Sequence, residues 1–333
     1  TRSASEGVRG AEALSRPELD LAASYTRNSN VPELILAFPG QAPRTIFPNL
    51  PNAWRTHVGA TMPVYTGGRI QAARDAASET ERASVSDRAA ATNDLAAETH
   101  LAYMSVLVAR ETARVLGEAI AAYDGHLKDA KNRQELGLIA SHETLAVTVE
   151  RERAELARVQ AKNAVGVAEA NLRRLLGVPA ETRLELAPPP EAAAVANETG
   201  DLVRRATEGR PEVEALKARI RAAEAGSRIA GAATKPQAGV QAGFDYANPN
   251  PRILPLAGAW KDTWSVGLAL SWKVLDGGKA DAAVAQAAAQ ADALRAQLQD
   301  LESRIALEVS ARRLDLDSAL AGRAVAQRGI EAA

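Results

Sequence analysis

Two Gly-Gly pairs constrain this chain more than any other feature: Gly67-Gly68 in PVYTGGR (63–69) and Gly277-Gly278 in WKVLDGGK (272–279). Each closes a segment in which apolar and polar residues alternate. Each is followed by a cation and a long stretch of helical periodicity, and each has a Trp thirteen residues upstream, Trp54 before Gly67 and Trp264 before Gly277. Alternation with period two is the mark of a strand with one apolar face. The same strand-to-helix change occurs twice, 210 residues apart (Gly67 to Gly277), so the chain is a tandem duplication. A strand that turns straight into a helix needs backbone angles that glycine adopts cheaply, which makes Gly67, Gly68, Gly277 and Gly278 the expected swivels. A phosphate cradle is the competing reading, but neither copy has the G-x-G-x-x-G spacing.

Residues 1–16 read as the end of a helix, closed by Pro17. Residues 18–26 alternate, with Leu19, Leu21, Ala23 and Tyr25 opposite Glu18, Asp20, Ala22, Ser24 and Thr26. Residues 27–53 are rich in Pro, Asn and Gly and are expected to form a loop without regular structure. Residues 54–65 alternate again, placing Trp54, Val58, Ala60 and Met62 on one side and Arg55, His57 and Gly59 on the other.

From Arg69 to about Glu135 there is no proline. At about 1.5 Å per residue such a helix runs on the order of 100 Å, too long for an ordinary globular domain. It should break at ELGLIASHETL, where Gly137 suits a left-handed helix end and Ser141 an N-cap. The return helix carries Leu145, Val149, Leu156 and Val159 as a coiled-coil-like stripe and stops at Gly177 and Pro179. A proline-rich linker (187–196), a helix (201–234), strands at 237–247 and 264–275 and a last helix from Lys279 complete the second copy. In that helix Leu294, Leu298, Leu301 and Ile305 form the stripe.

The expected organisation is a helix end (1–16), a first β-hairpin (17–66), a long helical hairpin (67–177) and a linker (178–200). A second-copy helix (201–235), a second β-hairpin (236–276) and a long helix truncated before its tip (277–333) follow. A shift of 210 places Ala333 on Tyr123, inside the first long helix, and Thr1 corresponds to a position inside 201–234. The expectation is therefore a piece of a longer chain.

Ala tracts with Glu, Arg, Gln and Leu, and only 4% aromatics, suit long helices packed side by side. A net charge of −1 with both signs interspersed leaves no basic field for nucleic acid. With no cysteine there is no disulfide and no thiolate nucleophile. His57, His100, His126 and His142 never stand at i, i+3 or i, i+4, and they read as solvated or pore-lining rather than as metal ligands. Acidic pairs such as Asp315/Asp317 and Glu150/Glu152 read as exposed helix charges, and no Ser has a recognisable base. Catalytic residues, cofactor and metal are all expected to be absent, so the chain is not read as an enzyme. No apolar run reaches the ~18–20 residues of a spanning helix, which does not bear on a β-barrel, whose strands alternate.

Strands of ~10–12 residues have the length that a tilted membrane-spanning strand requires. Trp54, Trp264, Trp272 and Tyr246 are then the expected interface aromatics. Glu18, Asp20, Arg55, His57, Asp245 and Lys273 would be costly against lipid and are expected to line water. Four strands cannot close round an open lumen, so oligomerisation is expected to remove the edges.

The fragments SRPELDLAASY, VGATMPVYTGGRI, ELGLIASHETL, ANLRRLLGVP, GRPEVEALKARI and VGLALSWKVLDGGK, in this order, resemble the TolC-type outer-membrane efflux proteins of Gram-negative bacteria. The resemblance implies a mixed, mainly α fold in which the duplicated strand-strand-long helix unit forms, as a homotrimer, a 12-stranded β-barrel continuous with a long periplasmic α-helical barrel. It implies residence in the outer membrane, lipid around the barrel, and service as the exit duct of a tripartite efflux or secretion system. The partners would be a periplasmic adaptor (membrane fusion protein) and, through it, an inner-membrane transporter. Leu136, Gly137, Leu138, Ser141 and Thr144 would meet the adaptor. The pore gate would belong to the second-copy tip, beyond Ala333. Two alternatives stand beside this: a type I protein-secretion channel within the same family, and a periplasmic coiled-coil adaptor or structural protein.

Overall fold

The computed structural model describes residues 1–37, 39–40, 42–189 and 198–332. Helix α1 (Arg2–Ala13) leads into strand β1 (Glu18–Arg27), the short strands β2 (Leu34–Leu36) and β3 (Arg44–Phe47), and strand β4 (Asn52–Tyr65). Helices α2 (Arg69–Glu135) and α3 (Ser141–Leu176) form a hairpin. The second copy is α4 (Thr199–Gly209), α5 (Pro211–Gly231), β5 (Gln237–Asn248), β6 (Lys261–Ser271) and α6 (Lys279–Ala332). The fold is thus mixed and mainly helical, with long helices and small sheets.

Three expectations need correction. Residues 27–53 are not devoid of regular structure, because β2 and β3 pair in a small bulged sheet. Leu34, Ile35 and Leu36 are apolar and β-prone, but a three-residue strand is too short for periodicity to reveal. The helix expected at 201–234 is two helices: Pro211 sits at the first turn of α5, lacks an N–H for the preceding turn, and leaves Arg210 extended at φ −78°, ψ 127°. The strand expected at 264–275 runs instead over Lys261–Ser271, so Trp272, Lys273 and Val274 lie past its end. Of the expected linker 187–196, residues 190–196 lie outside the described residues; 187–189 have no regular structure.

Strands β1, β4, β5 and β6 form one antiparallel sheet in the order β1-β4-β5-β6. Antiparallel partners share a face, so the register shows which side each residue takes. Leu21, Val58, Phe244 and Trp264 form one row, and Leu19, Ala60, Ala242 and Val266 the next. The opposite face carries Asp20, Gly59, Gly243 and Ser265 in one row and Ala22, His57, Asp245 and Thr263 in another. One face is therefore apolar across all four strands. It is also bare: Leu21 is 74% and Leu268 83% exposed. The outer edges of β1 and β6 have no partner strand among the described residues.

The chain divides into two compact units, one of residues 1–88 with 198–333 and one of residues 89–197. In the first, α5 packs against α6 and buries Val213, Ala215, Leu216, Ala218, Ile220 and Ala225. Arg219–Asp87, Arg221–Glu79 and Arg228–Asp75 ion pairs of 2.6–2.9 Å tie α5 to α2. Ile305 of the α6 stripe is 1% exposed. Thirteen of the twenty buried apolar residues described are alanine, so helix backbones approach closely and the stabilisation per residue is small.

In the second unit Ala102, Val106 and Leu172 form a core onto which Tyr103, Leu184 and Leu186 pack. The expected stripe of α3 is a different matter. Leu145, Val149, Leu156 and Val159 are 42–63% exposed, and the buried residues of this helix are Thr144, Ala161 and Leu172. Periodicity identified an apolar face but not what covers it.

Candidate functional site

The two strand-to-helix turns are built alike. Gly67 and Gly68 have φ of +63° and +88°, Gly277 and Gly278 of +70° and +80°. An L-residue pays for such angles with a clash between its Cβ and the following carbonyl. The helix start after each pair is capped from the residue just before it, by different means. Asp276 accepts from the Gly278 N–H at 3.0 Å and the Ala280 N–H at 2.8 Å. Thr66, its equivalent 210 residues earlier, accepts one bond at 3.3 Å from the Ile70 N–H. Asp and Thr before a helix are a known start signal, and that is the local sign in the sequence by which both caps can be found.

The turns differ in their surroundings. A Cβ on Gly67 would stand 2.5 Å from Lys235 Cβ, whereas Gly68, Gly277 and Gly278 have open space.

On the polar face of the sheet, Arg55, His57 and Asp245 come together. Asp245 Oδ1 accepts from Arg55 Nε at 2.5 Å and lies 2.9 Å from His57 Nδ1. Below this triad Gly59 and Gly243 are direct cross-strand partners. A methyl on Gly59 would run into the Asp20 carboxylate, and one on Gly243 would stand 3.1 Å from His57 Cε1. The glycines thus let Asp20 and His57 lie low over the sheet and floor a hollow of about 390 Å³ that also reaches Thr61, Gln241 and Ser265. Glu18 is on the same face, opposite Thr61. Lys273, expected with this group, lies beyond β6, where register no longer assigns a side. Alternation along the strands is enough to put Asp20, Arg55, His57 and Asp245 on polar faces; the ion pairing and the glycine floor come from the register.

The aromatics gather on the other face toward the loop end. Tyr25 and Trp54 rings are 4.2 Å apart, and Tyr246 stacks on Trp260 at 4.9 Å. Trp264, 72% exposed, is the fourth residue of β6. Trp260, outside any strand, carried no period to betray it. Trp272 is near the opposite end of β6 and donates its indole N–H to the Thr234 carbonyl at 3.0 Å.

At the hairpin tip Gly137 has φ +71°, and the Leu138 N–H reaches back to the Arg133 carbonyl at 2.9 Å, closing α2. Ser141 is the first helical residue of α3 rather than its cap. Ala140 holds the cap position, and its N–H is taken by Glu143 Oε1 at 3.2 Å. Leu136 and Leu138 are 75% and 69% exposed. Thr144 is buried, so of the five tip residues it is the one that does not reach the surface.

In the same helical unit Glu169 bridges two helices and the segment after α3. It accepts from Arg110 Nη2 at 2.5 Å and from Arg173 Nη2 at 3.0 Å. Arg110 also donates to the Leu184 carbonyl, and Arg173 to that of Thr182. The Arg110 hydrogen bond, reinforced by Arg173, holds the Glu169 carboxyl below the usual range against the opposing effect of burial.

Among the described residues no group of three His, Cys, Asp or Glu side chains is placed to hold a metal, and no described helix is long and apolar enough to cross a membrane.

The family model described as "Outer membrane efflux protein" matches residues 1–178 and 202–333. No curated protein matches significantly in sequence. Among solved structures, CusC, studied for conformational changes accompanying folding and transmembrane channel formation, is similar with a TM-score of 0.78 and 16% identity over 98% of this chain and 72% of that one. A membrane protein from Pseudomonas aeruginosa gives 0.78 and 21% over 99% and 75%. The outer membrane protein VceC from Vibrio cholerae gives 0.77 and 19% over 97% and 74%.

Proposed function

Since the chain belongs to the outer membrane efflux protein family, we propose that three copies close their four-stranded sheets into one 12-stranded barrel in the outer membrane. The helices 67–177 and 277–333 would continue it as a periplasmic tube. The duct performs no chemistry; it passes substrates outward for a pump in the inner membrane, reached through a periplasmic adaptor that meets the tip at Leu136, Gly137, Leu138 and Ser141. Membership of the family leaves the adaptor reading of this chain without support. Protein secretion and small-molecule efflux share the architecture, and both remain within the proposal.

The observation that carries it is the two-faced sheet. An apolar face 66–83% exposed at Leu19, Leu21, Trp264, Val266, Leu268 and Leu270 is far too large to leave against water, while Arg55, His57 and Asp245 on the other face are too costly against lipid. Two unpaired edges at β1 and β6 are equally costly in a bilayer, and pairing β6 of one copy with β1 of the next removes them. The bare apolar stripe of α3 gives a second surface for neighbouring copies to cover.

The test is single-cysteine nitroxide labelling of the full-length protein in liposomes. Labels at Leu21, Phe244 and Leu268 should collide with lipid-soluble oxygen, and labels at Asp20 and Gln241 with a water-soluble nickel complex. The reverse pattern, or a particle that crosslinks only to dimers, would refute the barrel.

A further inference from the structure

We infer that a collar of five cations at the helix-side end of the sheet binds the phosphate headgroups of anionic phospholipids, so that these lipids gather there in preference to zwitterionic ones. The inference rests on the barrel proposed above.

The duplication writes most of the collar. Arg16 and Lys235 each stand just before the proline that precedes a strand, and Arg69 and Lys279 each follow a Gly-Gly pair. The fifth cation, Lys273, lies two residues past β6, so each of the four strands has a cation close to its helix-side end. The register brings them to one level. Arg16 is two residues beyond the Glu18–Thr61 pair, and Lys235 and Lys273 are each two residues beyond the Gln237–Ser271 pair. Lys235 also packs against the turn at Gly67, two residues before Arg69.

All five are exposed, and among the described residues none is in an ion pair or a side-chain hydrogen bond. On α5, by contrast, Arg219, Arg221 and Arg228 are each paired with a carboxylate of α2. Carboxylates at the collar are fewer than the cations. Glu12, Glu18 and Asp281 are exposed, and Asp276 is taken up by the Gly278 and Ala280 N–H groups. Nor do Arg69 and Lys279 serve their helices, since each is a first helical residue and a cation is unfavourable at that positive end. Charge that the fold neither pairs nor uses is available to a ligand of opposite sign.

The level of the collar decides which ligand. The bare apolar face of the sheet ends here, with Leu270 75% and Trp272 60% exposed, which is where hydrocarbon gives way to headgroups. Lys and Arg stems can lie along apolar surface and carry their charge to that level. A lipid phosphate there meets several cations while its acyl chains cover the apolar face, whereas a phosphate free in solution has only the charge to hold it.

A Lys or Arg near a membrane surface favours an anionic lipid by a factor of about five, and salt screens the attraction. Replacing Trp54, Trp260 and Trp264 by Phe in the full-length protein leaves Trp272 as the reporter at the collar. In phosphatidylcholine liposomes, brominated phosphatidylglycerol should quench Trp272 at a roughly fivefold lower lipid fraction than brominated phosphatidylcholine does. The difference should shrink in about 1 M salt. Changing Arg16, Arg69, Lys235, Lys273 and Lys279 together to Gln should abolish it, whereas Lys128→Gln with Lys131→Gln, near the C-terminus of α2, should keep it. Equal quenching by the two lipids, or a preference that survives the five Gln substitutions, would overturn the inference and leave the barrel standing. Quenching by neither lipid would overturn both. Inorganic phosphate that relieves the quenching more than chloride of equal ionic strength would assign the cations to free phosphate and also overturn the inference. Should the Phe variant not assemble, native mass spectrometry of wild-type trimers from an equal mixture of the two lipids decides: an excess of retained phosphatidylglycerol supports the collar, and parity refutes it.

Discussion

Gly67→Ala should destabilise the protein more than Gly277→Ala, although the two residues are equivalent by duplication and nearly equal in φ. Both substitutions force alanine into a left-handed angle, at about 1–2 kcal/mol. Both also gain a little from a less flexible unfolded chain, about 0.4–1 kcal/mol. At Gly277 nothing else changes, since no atom lies within 4 Å of the new Cβ. At Gly67 the new methyl meets Lys235 Cβ at 2.5 Å, with Lys235 Cδ at 3.2 Å and the Ala232 carbonyl at 3.3 Å. The Cβ of Lys235 is fixed by its backbone and cannot swing aside. Such overpacking adds about 1–3 kcal/mol, so the expected difference between the two variants is that amount.

Far-UV circular dichroism during denaturant unfolding of the full-length protein in detergent measures it, with Gly68→Ala as a third variant expected to behave like Gly277→Ala. Equal losses at Gly67 and Gly277, or a smaller loss at Gly67, would refute the packing of Lys235 against that turn.

Asp276→Ala should cost about 0.5–2 kcal/mol and Thr66→Ala toward the lower end of that range, because Asp276 caps two N–H groups and Thr66 one at longer distance; the same unfolding assay ranks them. Ala218→Leu, 1% exposed in α5, should cost about 1–3 kcal/mol by forcing α5 from its neighbours, whereas Arg228→Ala, half exposed, should stay within about 1 kcal/mol. Because folding lowers the Glu169 carboxyl below its unfolded range, it contributes stability that is present above about pH 4 and lost as pH falls through the lower folded value. Wild type and Glu169→Gln should therefore differ in stability at neutral pH and converge in acid, with faster hydrogen exchange at residues 182–186 in the variant.

The duplicated frame was legible because its signals are local. Alternation in 18–26, 54–65 and 237–247 predicts strands, and the proline-free run after Arg69 predicts a helix whose observed bounds are Arg69–Glu135. Local signals fall short where several compete or none is long enough. The alternation of Trp272 and Val274 continued past Ser271 although the ladder stops there, and Pro211 was absorbed into a helix it divides. The strands β2 and β3 are too short for a period to rise above the composition of their loop.

For the candidate site, the sequence by itself determined which side chains share a face, since that follows from a period of two and nothing else. It could not say that Asp245 would meet both Arg55 and His57, nearly 190 residues away, or that Gly59 would lie opposite Gly243. Those depend on the register between β4 and β5, which joins the two copies, and a register is chosen by packing across strands rather than along them. The exposed stripe of α3 and the bare apolar face of the sheet carry the same lesson. Period tells where apolar residues point, and only the tertiary arrangement decides what, if anything, covers them.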